Sequence, residues 1–216
     1  MNKKESHYDE KYFEWQSTIG EFGGWANLDK FSNYINQEDV VLDFGCGGGY
    51  LLNNIKCSKK IGVEINPYAI KQAESFGVNV YNNIDDIPNE VADVIISNSA
   101  LEHVERPLDI LKLLKDKLKI GGKIIFTVPC ESISYAYVKD DINRHLYTWS
   151  PMNLGHLFDE AGFNVIESKA YRHKWFPKAA RYGKSMGRPL FNFLCSIYDR
   201  VRGYSSQVRL VAIKEK

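Results

Sequence analysis

Four glycines, at 45, 47, 48 and 49, follow the apolar run 39–44, and Asp43 stands two residues ahead of the first of them. Glycines after a strand let the backbone turn tightly and come close to a ligand. The spacing is Asp43-x-Gly45-x-Gly47-x-Gly49. A pyrophosphate-binding dinucleotide loop needs GxGxxG, and Tyr50 stands where its third glycine belongs, so that pattern fails. A second acid, Glu64, lies 21 positions after Asp43, near the end of the run 60–65. A carboxylate there can accept two hydrogen bonds from a ribose diol. His103 follows the run 92–97, and His145 follows the run 123–128. An imidazole there can act as a general base near neutral pH, or it can simply cap or pack against a helix.

The elements that must position these residues alternate along the chain. Short apolar runs at 39–44, 60–65, 78–81, 92–97, 123–128, 163–169 and 207–213 read as strands. Between them, Pro67 opens a helix, 107–118 is an amphipathic helix stopped by Gly121-Gly122, and 151–161 is a helix capped by Ser150-Pro151. Alternation of this kind predicts an α/β, doubly wound, mostly parallel sheet with ligands beyond the carboxyl ends of its strands. Ahead of it, 5–16 reads as a helix with Tyr8, Tyr12 and Trp15 on one face, followed by a glycine-rich turn at 20–25 and a second short helix in LDKFSNYI. Residues 1–36 are therefore expected as an N-terminal helical unit and 37–216 as the main domain.

The 216 residues carry a net charge of +1, which argues against a whole-protein nucleic-acid footprint. No apolar run is long enough to predict stable membrane insertion, and the charged, aromatic start lacks a signal-peptide core. Cys46, Cys57, Cys130 and Cys195 form no metal-ligand spacing, and a disulfide framework is not expected in a chain of this length. The expected compartment is the cytoplasm. Charge is unevenly spread. Between 171 and 205 eight Lys and Arg side chains face only Asp199.

The segment from Val41 to Leu52 resembles the glycine loop of the class I S-adenosylmethionine-dependent methyltransferases, and the resemblance runs over about 38–170. It implies a Rossmann-like, seven-stranded sheet with an antiparallel last strand, a helical lid formed by the N-terminal unit, and a cap insertion at 171–205. The implied cofactor is S-adenosylmethionine. The implied contacts are Asp43, Gly45, Cys46, Gly47 and Gly49 at its methionine end, Glu64 and Ile65 at the ribose, Asn83 and Ile84 at the adenine, and Asn98 after the fourth strand. Asn66-Pro67-Tyr68 only looks like the tetrad of base-modifying enzymes, because it follows the second strand instead of the fourth. Cys130 lacks the partner motif of a nucleophilic cysteine and reads as a plain thiol.

The segment Leu101-Glu102-His103-Val104 is similar to one in the small-molecule members of that family, which points to His103 at the acceptor. His145 and Tyr147 lie in a stretch similar to their His-x-Tyr/Phe segment, with His145 the expected base. Tyr8, Tyr12 and Trp15 offer an aromatic face to the acceptor, and Arg172 and His173 offer cationic anchors. The expected acceptor is a small anionic molecule: a phosphorylated amine, a uronate or a nucleotide-linked sugar. YFEWQ and GEFGGWAN are similar to segments in methyltransferases of surface-polysaccharide assembly. Two other readings stand beside this one. In the first, a lipid or quinone precursor is methylated at a membrane surface, with 189–194 as the apolar side of an interfacial helix. In the second, a non-catalytic domain binds the cofactor. The chain is expected as a monomer or homodimer that binds no nucleic acid.

Overall fold

The computed structural model describes residues 10–139, 141–201 and 207–216. Seven strands form one sheet: β1 Val40–Phe44, β2 Lys59–Val63, β3 Asn79–Tyr81, β4 Ala92–Asn98, β5 Leu118–Pro129, β6 Asn164–Tyr171 and β7 Gln207–Ile213. Their order is β3-β2-β1-β4-β5-β7-β6. β1 runs parallel to β2 and β4, and β4 runs parallel to β5. β7 is antiparallel to β5 and β6, as expected of the last strand. The order reverses between β1 and β4, which opens a crevice at their carboxyl ends.

Helices cover both faces of this sheet, which is why its central strands read as continuous apolar runs. Side chains alternate across the pleat. Leu42, Ile95, Ile124 and Phe126 pack with Leu111 and Leu114 of α4 (Pro107–Lys117) and with Leu154 and Phe158 of α5 (Pro151–Glu160). On the opposite face Val41, Val94, Ile96 and Ile125 meet Leu51 and Leu52 of α2 (Tyr50–Asn54) and Ala73 of α3 (Pro67–Ser75). Ser150 and Asn153 form a capping box on α5, with Pro151 in the first turn as read.

The N-terminal helix corrects one expectation. α1 runs from Glu10 to Asn27, straight through the glycines at 20, 23 and 24 that predicted a turn. Each glycine costs a helix interior about 1 kcal/mol relative to alanine. Tertiary packing recovers that cost at two of them. A Cβ on Gly20 would fall on the Tyr50 ring, and one on Gly24 would fall on the Tyr50 carbonyl oxygen. The expected second helix is two short 3-10 turns, Leu28–Lys30 and Ser32–Tyr34.

Gly121-Gly122 is a second correction. The pair does not end α4 but lies inside β5, where the register against β4 shifts between Ala92 and Val94. Gly121 takes a φ of 78°, and its N–H bonds to the Lys214 carbonyl at 2.8 Å. The glycines accommodate a bulge at a strand entrance.

The basic insertion forms α6 (Ala179–Met186) and α7 (Arg188–Val201). Phe191 and Cys195 of α7 and Ala179 of α6 bury against Phe22 and Ala26 of α1. Phe22 meets Trp175 and Phe191 edge-on at 4.9 and 5.6 Å. The apolar side expected at 189–194 is thus divided: Phe191 faces inward, while Leu190 and Phe193 face outward. Among the described residues no helix is long and apolar enough to cross a membrane.

The glycine packing has a test. In an exposed helix, Gly→Ala stabilises by about 1 kcal/mol. Gly24→Ala should reverse that sign and cost about 1–3 kcal/mol through overpacking against Tyr50. Urea denaturation measures it, and a stabilised variant would refute the packing account.

Candidate active site

The loop after β1 turns through left-handed backbone at Gly45, Gly47 and Gly49, with φ of 73°, 52° and 74°. L-residues with side chains rarely adopt this conformation. The N–H groups of Gly45 and Cys46 both donate to the Val63 carbonyl, at 2.9 and 3.1 Å. This ties the loop to the end of β2. A Cβ on Gly45 would collide with the Ala100 methyl, so the loop also lies close against the chain leaving β4.

Glu64 binds this framework together. One carboxylate oxygen accepts the Gly47 N–H at 2.9 Å. The other accepts the N–H groups of Ile65 and Asn66 at 2.8 and 2.9 Å. Burial raises the Glu64 pKa, and the three amide dipoles oppose that shift. Asp43 is 2% exposed, and its Oδ1 has no hydrogen-bond partner. Burial and then the neighbouring Glu64 charge push its pKa well up. Two carboxylates so placed stabilise a nearby positive charge or hydrogen-bond donor.

Beside them lies a cavity of about 370 Å³ at the carboxyl ends of β1 to β4. Of the residues expected from sequence it brings together Gly45, Glu64, Ile65, Asn83, Ile84 and His103. Ile65, Ile84 and Leu113 supply apolar wall, while Asn82, Asn83 and Asp85 supply polar edges. The Asn83 side chain also accepts the Asp85 N–H at 3.2 Å, so it shapes the turn it lines. Cys46, Gly47 and Gly49 lie buried behind the loop surface.

S-adenosylmethionine fits these residues on three counts. The cavity has the size of a small-molecule site. Glu64 Oε2 accepts only the Gly47 N–H and so keeps an acceptor site for a ribose hydroxyl, since each carboxylate oxygen offers about two, whereas the other oxygen already takes two N–H groups. The unpartnered Asp43 oxygen suits the cationic end of the cofactor.

Sequence reasoning missed Gln16 of α1. It lines the cavity, and its carboxamide is the nearest group to the Cα face of Gly47. A single polar residue on a helix carries no sequence signal, and only packing places it over the loop. Trp15, one residue earlier, is 40% exposed and does not line the cavity. Tyr8 lies outside the described residues, as does the side chain of Tyr12.

Asn98 takes a different position from the one expected. Its Oδ1 accepts from Lys30 Nζ at 3.0 Å and from Thr127 Oγ1 at 2.9 Å, and it does not line the cavity. Lys30 also donates to Gln207 at 2.7 Å. Burial pulls its ammonium down to about 7. His173 is likewise not on the cavity wall. It lies 7% exposed between Phe191 and Tyr171, with Nε2 against Asn192 at 2.9 Å. Asn192 in turn donates to Asp29 at 2.6 Å. Burial and the Lys30 charge lower the His173 pKa to about 4, so it is neutral at pH 7 and no anion anchor. The apolar packing of the insertion on α1 draws it inward. Arg172 is exposed.

The far end of the cavity, at His103, meets the loop after β5. His103 and His145 rings stand 4.9 Å apart. His145 Nδ1 lies 2.7 Å from Glu131 Oε1, and its Nε2 lies 3.9 Å from Glu102 Oε1. Glu102 is fully buried, and burial followed by the Glu131 charge raises its pKa to about 8. The Glu102 carbonyl accepts the Leu146 and Tyr147 N–H groups at 2.9 and 3.3 Å. Tyr147 stacks on Trp149 and donates its hydroxyl to the Glu105 carbonyl at 3.0 Å.

Comparison with known proteins gives the family and the fold. The methyltransferase domain family matches residues 14–168. An uncharacterized methyltransferase of Schizosaccharomyces pombe is 35% identical over 105 residues, covering 42% of this chain and 40% of its own. A ubiquinone biosynthesis O-methyltransferase of a Ruegeria species is 28% identical over 157 residues, 61% of this chain and 62% of its own. The chain therefore spans less than two thirds of these curated relatives. The crystal structure of a SAM-dependent methyltransferase from Archaeoglobus fulgidus superposes with a TM-score of 0.66, at 21% identity, over 94% of this chain and 99% of that one. At that identity the likeness is one of fold.

Two outcomes are expected. Glu64→Ala should weaken S-adenosylhomocysteine binding by about 1.5–3 kcal/mol, the usual loss for charge-assisted hydrogen bonds; unchanged affinity in calorimetry would remove Glu64 from the site. Lys30 makes stability pH-dependent. Between about 7, its folded value, and 10.5, the ordinary value, the unfolded chain holds a proton that the folded chain lacks. Stability should therefore rise with pH in this window, by up to about 1.4 kcal/mol per unit. Lys30→Met should lose that rise; urea denaturation at both ends of the window, with equal slopes in the two proteins, would contradict it.

Proposed function

We propose that this chain, which belongs to the methyltransferase domain family, transfers the methyl group of S-adenosylmethionine to an oxygen or nitrogen of a small acidic metabolite. The observation that carries the reading is the pair of acids at the glycine loop: Glu64 held by three backbone N–H groups, and Asp43 buried with an unpartnered oxygen. When bound, the cofactor supplies an electrophilic methyl on sulfur, so catalysis is chiefly alignment of the acceptor.

The chain's own residues then have separable tasks. Glu64 and the loop it ties down hold the ribose end. Asp43 stabilises the cationic end. Gln16 places α1 over the loop and helps exclude water. His145 activates the acceptor: it stands off the cavity wall beside His103, and Glu131 holds its Nδ1, which leaves the lone pair on Nε2, the nitrogen on the Glu102 side. Glu131 is a positioning residue. Arg172, with Arg181 and Lys184 of α6 and Arg188 and Arg200 of α7, favours an anionic acceptor, such as a phosphorylated amine, a uronate or a nucleotide-linked sugar of surface-polysaccharide biosynthesis.

One observation favours a second reading. Leu190, Phe193, Ile197 and Val201 form an outward apolar stripe on α7, with Arg188 and Arg200 on the same helix. Such a helix suits an acceptor held at an anionic lipid surface. Co-sedimentation with anionic vesicles, lost in Phe193→Ser/Ile197→Ser, would support it.

Calorimetric titration should show S-adenosylhomocysteine binding and no binding of NAD; the reverse would overturn the cofactor reading. With an acceptor found by screening the three anionic classes, His145→Ala should lower kcat by about 10²–10⁴-fold while leaving S-adenosylhomocysteine affinity near that of the parent. Unchanged turnover would return His145 to a packing role.

A further inference from the structure

The loop after β4 and the loop after β5 bring two imidazoles and a carboxylate together where the cavity ends. The ligand atoms of Glu102, His103 and His145 all lie within 4.8 Å of one another. Glu102 is 0% exposed, yet neither of its oxygens has a hydrogen-bond partner. A buried carboxylate without partners is costly, and native proteins rarely leave one without a purpose.

We infer that Glu102, His103 and His145 form a divalent-cation site at the acceptor end of the cavity. Three further observations support it. First, the Nδ1 of His145 is engaged by Glu131 at 2.7 Å, which leaves Nε2 as the nitrogen facing Glu102. Metal-ligating histidines are held by a carboxylate in this same way. Second, the Glu102 main-chain carbonyl takes the N–H groups of Leu146 and Tyr147, so the residue that offers the carboxylate also fixes the segment that carries His145. Third, the donor set of two imidazoles and one carboxylate suits a first-row transition ion such as zinc or manganese and leaves coordination positions open. Ligands about 2.0–2.2 Å from such an ion stand about 3.0–3.5 Å apart, so binding draws the three side chains together by rotamer adjustment.

The site itself stands on this geometry alone; its role rests on the methyl-transfer reading. His103 belongs both to this cluster and to the cavity wall, so the ion lies where the acceptor must enter. An acceptor oxygen on the ion becomes more acidic. Its O–H proton leaves to water, its lone pair forms the bond to the methyl carbon, and the carbon–sulfur bond breaks with its electrons going to sulfur. A nitrogen lone pair given to an ion is not available to a proton, so His145 then activates the acceptor as a ligand and not as a base. The site selects hydroxyl acceptors over amines.

The test uses the full chain, stripped with EDTA, dialysed, and titrated calorimetrically with zinc or manganese chloride, with S-adenosylhomocysteine titrated in parallel. One ion should bind per chain. Glu102→Gln and His145→Asn should each weaken it at least tenfold, and Glu131→Gln about tenfold, with S-adenosylhomocysteine affinity within about twofold. Cobalt substitution of the parent should give visible d–d bands, which keeps the question decidable if a variant fails to fold. No ion binding, absent cobalt bands, or folded variants that bind ions like the parent would each overturn the site, and retained S-adenosylhomocysteine binding would leave the methyl-transfer reading standing. Ion binding without S-adenosylhomocysteine binding would do the opposite.

Discussion

The Glu64 carboxylate holds together the two loops on which the donor side of the site depends. It accepts N–H groups from Gly47 on one side and from Ile65 and Asn66 on the other. These donors belong to the segments leaving β1 and β2, which register as parallel neighbours with Phe44 opposite Val63. A parallel pair brings both carboxyl ends to one edge, so a single acid can bridge them. Without that bridge the glycine loop would have the freedom to turn but no reason to stop in one conformation. The left-handed glycines make the approach possible, and Glu64 fixes it.

The other end of the cavity is built by a different logic. There the backbone carbonyl of Glu102 anchors the loop carrying His145, while the Glu102 side chain stays dry and unpartnered. Carboxyl groups are placed where solvent is excluded: Asp43 at the donor side, Glu102 at the acceptor side. Both acids are held above their ordinary pKa by burial. Such groups are unfavourable to the bare fold and favourable to a cationic ligand, which is the usual relation between stability and function.

The N-terminal helix and the basic insertion do not behave as two separate additions. Phe22 and Ala26 of α1 share one apolar cluster with Phe191, Cys195 and Ala179. Gly20 and Gly24 bring α1 against Tyr50 at the start of α2, directly after the glycine loop. The insertion is therefore packed onto the same helix whose Gln16 overlies the glycine loop.

The strand pattern, the glycine loop and Glu64 were legible in the linear chain, because each is a local signal: period-two or continuous apolar runs, a fixed glycine spacing, an acid at a strand end; the antiparallel sense of the last strand came from the family resemblance alone. So were the Ser150-Pro151 cap and the helix start at Pro67. The glycines of α1 were misread, since their reason is a contact with Tyr50 some thirty residues away. Gly121-Gly122 was misread because a helix stop and a strand bulge look alike in composition. His173 and Asn98 have the right residue types for binding, but burial against Phe191 in one case and the Lys30–Thr127 network in the other turn them to structural use. Glu102 was passed over in favour of His103, although its burial makes it the more telling residue. The sequence by itself determined which segments become strands and where a loop can come close to a ligand. Only the tertiary structure decided which polar side chains face the cavity and which are left buried without partners, because those outcomes depend on contacts between segments far apart in the chain.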